Sequence, residues 1–87
     1  MKPIYHAAYY NMAICYKNKK EVDAAIEWYI KATEVNPRYS YAFNNLGNIY
    51  KDRNQNEEAI KCYSKAVEHN LTYTLAYANM AVCYLRV

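Results

Sequence analysis

The sequence holds a single glycine, Gly47, and two prolines, Pro3 and Pro37. One glycine cannot build the glycine-rich loop that cradles phosphate with successive backbone N–H groups, so nucleotide binding of that kind is excluded. Cysteine is scarce too. Cys15, Cys62 and Cys83 form an odd set without CxxC spacing, which supplies neither a complete disulfide framework nor a zinc knuckle and predicts free, mostly buried thiols. His6 and His69 stand alone, with no carboxylate or thiol at catalytic spacing. The expectation is therefore no enzymatic activity in this chain, no metal and no cofactor. No apolar run approaches the about 18 residues that a membrane helix needs, and His6 and Asn11 interrupt any signal-peptide core. A cytoplasmic or nuclear protein without a membrane partner is expected.

Charge is low and dispersed. The formal net charge of +3 comes from lysines and arginines scattered among acids, whereas a nucleic-acid binder concentrates them in one basic stripe. No nucleic-acid partner is expected. Of the 87 residues, 54% are hydrophobic by type, but many of these are Tyr and Ala dispersed among Asn, Lys and Glu. A chain of this size buries only somewhat more than ~60% of its unfolded surface, so its core has to be built efficiently.

What the sequence does have is internal repetition, which outranks every other signal in deciding a fold. A shift of 34 residues brings Tyr9 onto Phe43 and Tyr77, Asn11 onto Asn45 and Asn79, Met12 onto Leu46 and Met80, and Tyr16 onto Tyr50 and Tyr84. Ala25, Ile26, Tyr29, Lys31 and Ala32 fall on Ala59, Ile60, Tyr63, Lys65 and Ala66. Within each unit the apolar positions step by three and four, which puts them on one face of a helix. Pro37 stops one helix pair, and the polar stretches at Lys19-Lys20 and Arg53-Asn54-Gln55 break each pair in its middle. The spacing predicts helices over about 5–18, 22–35, 40–53, 56–69 and 74–86, an all-α chain without strands. Glu27 with Lys31 and Glu57 with Lys61 are four apart, an order that favours ion pairs worth ~0.2–0.5 kcal/mol each on a solvated outer face.

Tyr9, Met12, Ala13, Tyr16, Ala25, Tyr29, Ala32 and Pro37, followed by Phe43, Leu46, Gly47, Tyr50, Ala59, Tyr63 and Ala66, resemble the tetratricopeptide signature. The resemblance implies αα-hairpin repeats in a right-handed superhelix: full units at 6–39 and 40–73, then a half unit at 74–87. The small residues have a mechanical reason for their places, since Ala13, Gly47, Ala25 and Ala59 let paired helices cross closely. Three departures carry expectations. Lys20 and Asn54 stand where the family usually has Gly, and Lys tolerates the left-handed conformation less well than Asn, so the first turn is expected to differ in shape. Leu71 replaces the proline expected after the second unit, which predicts a less firmly defined junction. Tyr77, Met80 and Tyr84 lack a covering helix, which predicts a piece of a longer array or self-association through this end.

In the family, the first helix of each unit lines a concave groove that holds peptide. The resemblance assigns to it Tyr10, Asn11, Ile14 and Lys17, then Tyr41, Asn44, Asn45, Asn48 and Lys51, and Asn79 from the last helix. Asn11, Asn45 and Asn79 recur as a ladder. Each side-chain amide offers a donor and an acceptor, enough to pair with an extended peptide backbone without reading its sequence. The stretch from Tyr41 to Tyr50 is similar to the asparagine-ladder arrays of intracellular O-linked glycosyltransferases, which implies a substrate-recognition arm. The alternative is a general scaffold in a multiprotein complex of cell-cycle, transport or co-chaperone type. The co-chaperone carboxylate clamp is disfavoured, because the positions matching its cations are Tyr10, Leu75 and Asn79.

Overall fold

The computed structural model describes residues 5–87. Among these, five helices follow one another: α1 (Tyr5–Asn18), α2 (Val22–Val35), α3 (Ser40–Asp52), α4 (Asn56–His69) and α5 (Thr74–Arg86). Neighbours in sequence pack as neighbours in space, α1 on α2, α2 on α3, α3 on α4 and α4 on α5. The array measures 38 × 29 × 16 Å, a slab about as thin as two packed helices permit.

The periodicity that predicted the helices also builds the core. Ala25, Tyr29, Ala32, Ala42 and Ile49 are buried in the first half, and their counterparts 34 positions on, Ala59, Tyr63, Ala66, Ala76 and Cys83, are buried in the second. Tyr50 packs against both clusters and joins them. Gly47 shows why small residues sit at the crossings. A Cβ on Gly47 would lie 2.8 Å from Cε1 of Tyr63, far inside van der Waals contact, so the α3–α4 crossing is closed by the bare backbone of Gly47 against that ring. One thiol departs from expectation: Cys83 is buried and Cys62 partly so, but Cys15 is exposed, because it falls off the α1 stripe that Ala13 leads inward.

Both turns within the hairpins have one shape, contrary to the difference expected from Lys20. Its φ is 65° and that of Asn54 is 64°. In each turn the residue after the left-handed one closes a six-to-one bond, Glu21 N–H to Tyr16 O at 2.9 Å and Gln55 N–H to Tyr50 O at 2.8 Å. Lys20 and Asn54 N–H bond three residues back, to Lys17 and Lys51 O, which completes a Schellman motif at both helix ends. The packing of α1 on α2 imposes the left-handed backbone on Lys20 despite its Cβ. The junctions between units match as well. Tyr39 N–H bonds to Asn36 O and Tyr73 N–H to Asn70 O, each at 3.1 Å, so Leu71 leaves the second junction as well defined as Pro37 leaves the first. The Asn at each junction stabilises the turn with its side chain: Asn36 Oδ1 accepts from Arg38 N–H, and Asn70 Oδ1 from the Thr72 hydroxyl.

The expected ion pairs on the outer face do not form among the described residues. Lys31 Nζ instead lies 4.2 Å from the centroid of the Trp28 ring, a cation–π contact in the turn below it. The ion pair with arginine is Arg53 with Asp23, which ties the end of α3 to the start of α2. Tyr77 and Tyr84 on α5 are 42% and 57% exposed, as expected for a face that no helix covers, whereas Met80 packs partly against the second cluster.

Candidate functional site

The first helices α1, α3 and α5 stand side by side, each linked to the next by polar side chains. Asn45 on α3 donates from Nδ2 to the Tyr10 hydroxyl of α1 at 2.9 Å and to the Tyr29 hydroxyl at 3.3 Å. One unit on, Asn79 of α5 donates from Nδ2 to Asn48 Oδ1 at 3.1 Å, and Asn48 Oδ1 also accepts from the Tyr63 hydroxyl at 2.5 Å. Arg86 donates from Nη1 to Lys51 O at 3.3 Å across the same pair of helices.

These bonds have a common cause. Tyr29 and Tyr63 are the largest side chains in the two cores and are fully buried, and a buried phenol needs a partner for its hydroxyl. In the first unit the Asn of the next first helix supplies it directly. In the second, Asn48 intervenes, because it stands where the first unit has Ile14. Burial raises the Tyr29 pKa, with the Asn45 bond pulling it down and Tyr10 pushing it up. Burial raises that of Tyr63 further, helped by Cys83 and Asp52. Both phenols therefore stay protonated through the neutral range.

The candidate residues consequently divide. Asn11, Lys17 and Tyr41 are exposed, and Tyr10, Ile14, Asn45, Asn48, Lys51 and Asn79 are half-buried. Asn44 is a correction: only 2% exposed, it sits in the interior, and its Oδ1 has no hydrogen-bond partner. It follows Tyr41 by three positions and so shares that side of α3, but the packing of the neighbouring helices covers it while Tyr41 stays 54% exposed. The ladder is also unequal. Asn45 and Asn79 each commit amide hydrogens within the array, while Asn11 has no side-chain hydrogen bond among the described residues.

Two features were missed in the sequence. One is a cleft of about 220 Å³ lined by Lys17, Val22, Ile49, Asp52 and Arg53, where the ends of α1 and α3 meet the start of α2. The other is a row of rings along the starts of α3 and α5. Its members meet at centroid distances of 5.1 Å for Tyr10 with Tyr39, 6.2 Å for Tyr39 with Tyr41 and 5.5 Å for Tyr41 with Tyr73. His6 caps the row at 4.7 Å from Tyr39. The recurrence of Tyr39 at Tyr73, 34 residues on, was the available signal for it.

The tetratricopeptide repeat profile matches residues 6–39 and 40–73. The chain belongs to the tetratricopeptide repeat family. Among solved structures it resembles the MamA protein in its crystal form, with a TM-score of 0.91 and 25% identity; the alignment covers 98% of this chain and 46% of that one. The chain thus spans less than half the length of that relative. A search of curated proteins gives no match. Tetratricopeptide repeats mediate protein–protein interaction, and this repeat chain has the architecture for it. No helix among the described residues is long and apolar enough to cross a membrane.

Proposed function

We propose that this tetratricopeptide array holds an extended peptide segment of a partner protein along the surface formed by α1, α3 and α5. The carrying observation is the continuity of that surface. The bonds from Asn45 to Tyr10, from Asn79 to Asn48 and from Arg86 to Lys51 O keep three helices in register, with Asn11 and Tyr41 left exposed on it. Neighbouring helices ~8–10 Å apart meet an extended chain at about every third residue. The narrower role, a substrate-recognition arm of an O-linked glycosyltransferase, draws on Asn11 and on the acceptor oxygens of Asn45 and Asn79. Selection of peptides from a random display library, followed by Asn11→Ala and Ile14→Ala substitutions, tests the groove. Binding should weaken in both variants and change little between low and moderate salt. Peptides indifferent to both substitutions but lost with outer-face variants such as Glu27→Ala would remove the groove from consideration.

The exposed face of α5 supports self-association as a second part of this reading. Tyr77 and Tyr84, seven residues apart and so on one side of α5, are both exposed there, and α5 carries Arg86 as its one charged residue, so an equally uncharged face suits it best. Sedimentation decides the matter: a monomer at high micromolar concentration dismisses it.

A further inference from the structure

We propose that the tyrosine row at the starts of α3 and α5 is a subsite for proline-rich segments in the polyproline II conformation, which gives the groove its ligand class and rests on the peptide-binding reading above. Four rings, Tyr10, Tyr39, Tyr41 and Tyr73, form an unbroken series with spacings between 5.1 and 6.2 Å. A polyproline II helix has three residues per turn and rises about 3.1 Å per residue, so neighbouring rings of the row meet different edges of such a ligand, about two residues apart along it. Tyr41 is 54% exposed at the centre of the row, and its ring stands at 89° to that of Tyr39 and 71° to that of Tyr73. The neighbouring rings thus buttress it upright, an arrangement that offers a flat apolar wall to a pyrrolidine ring.

The polar chemistry agrees. A proline-rich segment brings carbonyl acceptors and few N–H donors, so it needs donors from the protein and leaves acceptors idle. The Tyr39 and Tyr41 hydroxyls make no hydrogen bond among the described residues, and a phenol O–H is a donor. Burial raises the Tyr39 pKa, with Tyr10 and Tyr41 adding to the shift, and burial likewise raises that of Tyr73. The row includes no charged side chain, and the chain as a whole carries +3. A lysine-rich ligand attracted to ring faces would therefore be repelled over distance, while an uncharged ligand is not. Aromatic-lined grooves take polyproline II chains because the ligand is already stiff and loses little entropy on docking.

The test uses the whole chain and capped peptides of about ten residues: oligoproline, a Gly-Ser sequence and an oligolysine, followed by calorimetry and by the aromatic NMR signals. Oligoproline should bind about 10-fold or more tighter than the Gly-Ser peptide, roughly what 1.4 kcal/mol provides, and should shift the Tyr41 resonances. Tyr41→Ala should erase most of that preference. Circular dichroism of this variant should match the parent, since the side chain is more than half exposed. Glu27→Ala, on the outer face, should leave both the affinity and the preference intact. Equal affinity for oligoproline and Gly-Ser, a preference unchanged by Tyr41→Ala, or tighter binding of oligolysine each overturns the subsite. If Gly-Ser binds as well as oligoproline and is weakened by Asn11→Ala, the groove stands and the proline preference falls. If none of the peptides binds, the subsite is overturned, and the library selection decides the groove separately.

Discussion

The Tyr63 hydroxyl reaches through the core to Asn48 Oδ1 at 2.5 Å, and that oxygen also receives the amide of Asn79 from the next helix. A buried ring is thereby linked, through one shared acceptor, to the helix that follows. The two halves of this bond are unequal in stability. Asn48→Ala strands a buried hydroxyl and should cost about 1–3 kcal/mol, whereas Tyr63→Phe removes the polar atom itself and should cost about 1 kcal/mol. The double variant should be no worse than Asn48→Ala alone. Urea unfolding of the three proteins measures this, and strict additivity would mean that the pair is not coupled.

Lys20 holds a φ of 65° that glycine adopts without steric cost. Lys20→Gly should raise stability by about 0.5–1 kcal/mol, because removing the left-handed strain outweighs the extra freedom of the unfolded chain. Asn54→Gly, at a φ of 64°, should give less, since Asn already tolerates this region. Equal gains at the two sites would contradict this account.

At position 71 the second junction repeats the backbone bonds of the first, and the leucine there is 75% exposed. Leu71→Pro should therefore stabilise by about 0.4–1 kcal/mol, by narrowing the unfolded ensemble. Thermal melting shows it as an increase of several degrees. A lower melting temperature would show that the two junctions differ.

Alkali should unfold the chain progressively. Burial pushes the Cys62 thiol up to about 12, with Glu58 adding to it, and raises Cys83, Tyr29, Tyr39, Tyr50, Tyr63 and Tyr73. Groups whose folded pKa lies above the unfolded one stabilise fully below the unfolded value and lose that contribution as pH rises through the folded value. Stability should thus be flat with respect to these groups at neutral pH and fall from about pH 9 upward, thiols first and phenols from about 10. Tyr63→Phe should make the fall shallower. A stability that rises between pH 9 and 11 would refute the assignment.

Helix positions and their pairing were legible in the residues because both depend on local spacing: three-four steps of Tyr9, Met12, Ala13 and Tyr16 define one stripe, and a repeat of 34 copies it. The small residues at the crossings were legible for the same reason, and Gly47 against Tyr63 bears this out. The groove was less legible. Tyr41 and Asn44 are three apart on one helix, yet one is exposed and the other buried, since the edge between them is drawn by Tyr73 and the helices alongside.

By itself, then, the sequence determined five helices, their order, and which faces are apolar, because helix formation and hairpin pairing follow from neighbours along the chain. Only the tertiary structure decided which asparagines remain available to a ligand. Asn45 and Asn79 turn their amides to Tyr10, Tyr29 and Asn48, because a buried phenol must be hydrogen-bonded and the partner that can reach it comes from a different helix.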